Sequence, residues 1–129
     1  MSPEREAPER HRLPNERQAI THRFVIKTES EPVKGYITVG LYDDGDVGEI
    51  FVKINKQGSE VSGFADAWAI AVSMLLQTGF PLEQIIAKFK GSRFEPSGYT
   101  ETEGIRITTS VIDYVCRYLE ERFVNEIEV

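Results

Sequence analysis

The sequence predicts an α+β fold, a small antiparallel sheet of about three strands (including a hairpin over 36–54) packed against about three helices (60–78, 81–89 and 108–123). Three observations carry that prediction. Residues 36–42 and 49–54 alternate apolar and polar, the period of a half-buried strand. An Asp-Gly turn cluster, Asp43 to Gly48, separates them. Beyond residue 60 the apolar positions recur at three- and four-residue steps, the period of a helix with a buried face.

Taken in order, residues 1–19 are rich in Arg, Glu and Pro and carry few large apolar groups, so they read as a tail that is disordered or ordered by a partner. Residues 20–129 read as one domain. Phe24 and Ile26 mark a first strand, and Glu29 to Lys34 a polar loop. Ile37, Val39 and Leu41 form one face of the next strand, and Ile50, Val52 and Ile54 one face of its return. Helix one is read with Val61, Phe64, Ala65, Trp68, Ala71, Val72 and Leu75 inward, Ser59 as N-cap and Gly79 as its stop. Pro81 suits the start of helix two, whose inward residues are Leu82, Ile85, Ile86 and Phe89. Residues Ser92 to Gly104 read as a loop. Helix three carries Val111, Ile112, Tyr114, Val115, Cys116, Tyr118, Leu119 and Phe123, too wide an apolar set for one buried face. Helix one or a second protein chain is expected to cover the excess.

Composition narrows the function. The 129 residues carry a net charge of −6, and residues 1–23 sum to +1, so the body is acidic. That charge argues against nucleic acid as a partner. Neither an apolar run long enough to span a bilayer nor a secretory h-region is present, so no membrane association and a cytoplasmic location are expected. The single cysteine excludes an internal disulfide, a CxxC redox pair and a cysteine-built metal site. The two histidines, His11 and His22, lie N-terminal to most of the predicted body, which disfavours a Ser-His-Asp constellation and a His-rich metal cluster.

Two segments stand out as candidate sites. Gly58, Ser59, Ser62 and Gly63 follow a strand and open a helix, an arrangement that can bind phosphate through backbone N–H groups. The same residues also build an ordinary capped junction with a small residue packing closely at Gly63, the more economical reading, since the P-loop and dinucleotide signatures are absent. Arg93, Phe94, Glu95, Ser97 and Gly98 form a loop that is costly to leave exposed. Either Arg93 ties it to a helix-three carboxylate, or the loop is a contact surface. Other residues read as structural. Asp43, Asp44 and Asp46 lack calcium-loop spacing. Cys116 reads as core, because no histidine is near to activate it. The stripe of Phe64, Trp68 and Val72 also reads as core.

Several runs in order carry a family resemblance: Gly-Tyr-Ile-Thr-Val-Gly-Leu-Tyr-Asp-Asp-Gly (35–45), Gly-Glu-Ile-Phe-Val-Lys-Ile (48–54), Gly-Ser-Glu-Val-Ser-Gly (58–63), Arg-Phe-Glu-Pro-Ser-Gly-Tyr-Thr (93–100) and Ser-Val-Ile-Asp-Tyr (110–114). Together they resemble the TSCPD domain near the C-terminus of adenosylcobalamin-dependent (class II) ribonucleotide reductases. Arg12 to Phe24 resembles the linker leading into that domain. The resemblance spans about residues 12–123 and implies a connection to deoxyribonucleotide synthesis. It does not imply that the chain is a reductase on its own: the catalytic barrel, the several cysteines of that chemistry and the Thr-Ser-Cys-Pro-Asp run are absent from this sequence. What it implies is a stand-alone, non-catalytic accessory or regulatory domain that binds a reductase catalytic subunit and no cofactor of its own, adenosylcobalamin belonging to the parent enzymes. The alternatives are an independent homo-oligomeric interaction module and a sensor for nucleotide phosphate at Ser59 to Gly63.

Overall fold

The computed structural model describes residues 5–55 and 60–125. Three strands, β1 (Ala19–Ile26), β2 (Val33–Leu41) and β3 (Val47–Ile54), form an antiparallel sheet in the order β1-β2-β3. Helices α1 (Glu60–Gln77) and α2 (Leu82–Phe89) follow. A second, two-stranded sheet, β4 (Gly98–Thr102) and β5 (Ile105–Thr108), precedes α3 (Val111–Leu119), which continues into a π-helical turn at Glu120–Val124. The predicted α+β class holds. Among the described residues no helix is long and apolar enough to cross a membrane.

The register explains which face of the first sheet is buried. Phe24 pairs with Gly35, and Ile37 with Val52, so alternate residues of all three strands point the same way. Phe24, Ile26, Ile37, Val39, Ile50 and Val52 are almost fully buried on that face. Against them pack Tyr114, Val115, Cys116 and Leu119 of α3 and Ile85 and Ile86 of α2. The Tyr114 ring stacks on Phe24 with centroids 4.7 Å apart.

Strand β3 is a sheet edge, and α1 lies along it. The Ser73 hydroxyl accepts from the Ile50 N–H at 2.9 Å. Its one proton is aimed at the Ile50 carbonyl (3.1 Å) and the Ala69 carbonyl (2.8 Å). One turn on, Gln77 Nε2 donates to the Gly48 carbonyl at 3.0 Å. Side chains of a helix thus satisfy backbone groups that a fourth strand would otherwise take.

Residues 5–18 form neither helix nor strand. Within them, His11 N–H donates to the Gln77 carbonyl at 2.8 Å, Arg10 Nε to Gln77 Oε1 at 2.6 Å, and Arg17 Nε to Glu49 Oε2 at 2.7 Å. Tyr42 Oη donates to the His11 carbonyl. This part of the predicted tail lies across one end of the sheet.

Four expectations are corrected. The stretch Ser92 to Gly104 is not all loop: β4 starts at Gly98 and pairs with β5. Its sequence, Gly-Tyr-Thr-Glu-Thr, has no apolar face, so it lacks the alternation that reveals a strand. Helix three begins at Val111 rather than 108, because Thr108 belongs to β5 and the Ser110 hydroxyl caps the helix by accepting from Asp113 N–H at 2.9 Å. The surplus apolar set of that helix is covered within the chain, with α2, β5 and the rings of β1 packed against it. On α1 the buried residues are Ala65, Ala69, Val72, Ser73, Leu76 and Gln77; Phe64, Ala71 and Leu75 point outward.

Replacing Ser73 with alanine strands the buried Ile50 N–H. We expect Ser73→Ala to lower the unfolding free energy by about 1–3 kcal/mol in a denaturant titration; a loss indistinguishable from zero would show that β3 does not need this cap.

Candidate functional site

An open groove of about 950 Å³ lies between the two sheets. One wall is the turn after β1, from Lys27 to Glu31, and the other is formed by Glu95 to Tyr99 with Ile107 to Thr109. Ile54 at the end of β3 and Val61 in the first turn of α1 close one side. At the back, Lys27 and Tyr99 exchange two backbone hydrogen bonds, at 2.7 and 3.0 Å, joining β1 to β4. Gly98 makes this approach feasible, since a Cβ there would collide with the Lys27 carbonyl.

The groove loop is positioned by Asp113, a fully buried carboxylate in the first turn of α3. One oxygen accepts from Gly91 N–H at 2.6 Å, the other from Thr109 N–H at 3.0 Å and Thr108 Oγ1 at 2.8 Å. Arg117 Nε contacts both oxygens, at 3.0 and 2.9 Å. Burial pushes this carboxyl up, but the Thr109 and Gly91 N–H groups, Arg117 and Thr108 together hold it below the usual range. Thr109 then fixes the loop twice, its hydroxyl donating to the Ser92 carbonyl and its carbonyl accepting from Phe94 N–H.

The expected Arg93 anchor is therefore replaced. A helix-three carboxylate does hold the loop, but through backbone donors, and its guanidinium partner is Arg117, one turn along the same helix. Arg93 is exposed and forms no ion pair among the described residues. Phe94 is also exposed, whereas Glu95, Ser97 and Gly98 line the groove.

Of the predicted junction, Gly58 and Ser59 lie outside the described residues. Ser62 is half-buried. Gly63 is exposed, and a Cβ there would meet nothing within 4 Å, so close packing is not its role. The candidate loop and Val61 in the first turn of α1 thus border one groove.

The remaining candidates resolve into structure. Asp43, Asp44 and Asp46 form an exposed turn in which Asp44 Oδ1 accepts from Asp46 N–H at 2.9 Å. Among the described residues no cluster of three or more His, Cys, Asp or Glu side chains could hold a metal ion. Cys116 is fully buried, and burial with the negative charges of Asp113 and Glu120 pushes its thiol up to about 12. Such a thiol carries almost no nucleophilic thiolate at neutral pH. Trp68 is half-buried, edge-on to Phe89, and its buried indole N–H has no partner among the described residues.

Sequence reading missed the role of His22. Its ring stacks on Tyr118 at 4.2 Å, and Nε2 meets Tyr114 Oη at 2.8 Å, which in turn meets Thr102 Oγ1 at 2.7 Å. This chain crosses from β1 through α3 to β4. Desolvation lowers the His22 pKa below its ordinary 6.5. No local sequence signal predicts it, because the three partners are more than ten residues apart.

Chemically, the groove presents hydroxyls (Thr28, Ser30, Ser97, Thr109), three carboxylates (Glu29, Glu31, Glu95) and the apolar surfaces of Tyr99 and Ile107. Among the described residues its one cation, Lys27, is already paired with Glu101 at 2.6 Å. That set can recognise a partner by hydrogen bonding and apolar contact; it repels anions.

A family model, that of the TSCPD domain, matches residues 6–123. The chain is 45% identical over 118 residues to a protein of Rhodopirellula baltica named Vitamin B12-dependent ribonucleotide reductase, covering 92% of this chain and 11% of that one. Two more proteins of that name are similar: one of Streptantibioticus cattleyicolor (43% over 117 residues, 91% of this chain and 19% of that one) and one of Bradyrhizobium diazoefficiens (36% over 122 residues, 94% and 9%). The chain therefore spans between about a tenth and a fifth of the length of these relatives. No solved structure matches it.

The lowered pKa of His22 has a definite sign. The folded state binds this proton less well than the unfolded state, so the full stabilisation is present above pH 6.5 and is lost as pH falls through the lower, folded value. Unfolding free energy measured from about pH 7.5 down to about pH 5 should decline, and His22→Gln should flatten the part of that slope nearest pH 6.5. Asp113→Ala should cost about 3 kcal/mol and raise hydrogen exchange at Gly91 and Thr109, because it removes a buried acceptor from four donor groups at once; unchanged exchange at both amides would rule Asp113 out as the loop's anchor.

Proposed function

Because the chain belongs to the TSCPD domain family, we propose that it serves deoxyribonucleotide synthesis, and hence DNA synthesis, as a non-catalytic accessory domain that binds the core of a B12-dependent ribonucleotide reductase. The observation carrying this reading is the lopsided coverage: over nine-tenths of the chain aligns, yet it matches only a small part of each reductase. A segment that small corresponds to one module of those enzymes.

The chemistry of the chain agrees. Radical and thiol-exchange steps need accessible, ionisable cysteines, and the one cysteine here is sealed in the core with its thiol pushed to about 12. Nor do the groove residues fit a corrinoid. They supply hydroxyls and carboxylates and no imidazole to ligate cobalt. In this reading cobalamin and substrate belong to the core, the chain works in the cytoplasm, and its loop Arg93–Gly98 and groove are surfaces for protein contact. Among the described residues the groove carries more carboxylates than cations, which argues against a sensor of nucleotide phosphate.

The test uses the full chain and a purified B12-dependent reductase core from the same organism. Retention of the core on the immobilised chain at micromolar concentration, with a change in turnover when the chain is added, is the expected result. No retention and no change in turnover would overturn the reading. A thermal-shift series with nucleoside di- and triphosphates should be flat.

A further inference from the structure

Helix α1 is apolar on nearly every side. Its only charged residues are Glu60 and Asp66, and it carries no lysine or arginine. The strip facing β3 is narrow: Ala65, Ala69, Val72 and Leu76 are buried there. On the opposite side Phe64 is 70% exposed, Ile70 52%, Met74 47% and Leu75 41%. At about 100° per residue these four, with Gly63, Ala67 and Ala71 among them, share one arc of roughly 140°, whose only charged member is Glu60 at the N-terminal end of the helix. A helix apolar all round belongs in an interior, and this one is covered on one side only.

We propose that this face pairs α1 with α1 of a second copy of the chain about a two-fold axis, as an antiparallel helix pair. The pattern is self-complementary in that orientation. With Ala67 opposite Ala71, Gly63 falls opposite Leu75 and Phe64 opposite Met74. Small residues meet at the centre, where the helices approach closely. At each end a large side chain meets either a glycine or a flexible thioether suited to an aromatic ring. At ~200 Å² for a fully exposed large side chain, the four contribute about 400 Å² per copy, which with the small residues brings two copies close to the ~1,200 Å² at which specific interfaces begin. The lack of cations argues against an anionic lipid surface, since helices that lie on such membranes carry Lys and Arg on their polar side. The proposal accounts for apolar surface that the fold leaves uncovered, and it adds to the accessory role without depending on it.

Light scattering after size exclusion, on the full chain across the micromolar range, should show a concentration-dependent dimer. Ala67→Glu places two carboxylates in the centre of the pair and should weaken dimerisation at least about 100-fold. Its melting temperature at a concentration where both proteins are monomeric should match the parent, because Ala67 faces away from the core. A double variant with Ala67→Cys and Ala71→Cys should form a cross-linked dimer under mild oxidation, Cys116 being buried and unreactive. A monomer at every concentration overturns the proposal, as does a dimer that Ala67→Glu leaves intact. If the chain is monomeric and Ala67→Glu abolishes capture of a reductase core, the face belongs to that core: the pairing fails and the accessory role stands.

Discussion

A sheet edge must place its outward N–H and C=O groups somewhere, and the way β3 does so sets the layout of this molecule. Ser73 takes both backbone groups of Ile50, and Gln77 takes the carbonyl of Gly48. Gln77 also holds the crossing N-terminal segment through Arg10 and His11. Because α1 serves an edge, it lies beside the sheet and not over it. The inner face of the sheet shares one core with α2, α3 and the narrow buried strip of α1. The geometry that protects the edge therefore leaves much of an apolar helix uncovered.

Asp113 makes the second half of the domain hold together. It sits where the end of α2, the end of β5 and the start of α3 meet, and it gives each a hydrogen-bond partner. A buried carboxylate is tolerable only when its lone pairs are met by well-placed donors. Here two backbone amides, a hydroxyl and a guanidinium meet them. The loop from Arg93 to Ser97 is thus fixed at its base while its tip stays open, the form expected of a recognition loop on a rigid support.

Much of this was legible beforehand. The hairpin, the first two helices and the family came from apolar periodicity and from runs of residues in order, all of them local properties. For the candidate loop, an Arg93 ion pair to a helix-three carboxylate was one of two open readings, and the structure gives that carboxylate a different cation. Arg93 belongs to the loop itself, whereas Arg117 is one helical turn from Asp113 and so is its neighbour in space. Strand β4 escaped notice because neither of its faces is a run of apolar side chains, Tyr99 being its one large ring, and its link to β1 depends on Gly98 approaching Lys27, more than seventy residues away in the chain.

By itself the sequence determined the α+β class, the family and the core residues of the three-stranded sheet, because these follow from patterns short enough to read along the chain. Only the tertiary structure decided which side of α1 is buried. An apolar helix offers several faces of similar hydrophobicity, and the choice among them was made by Ser73 and Gln77, polar residues whose partners lie on another element. The same holds for the cover over α3 and for the chain linking His22, Tyr114 and Thr102. Each depends on groups brought together by folding, and such pairings leave no period in the sequence.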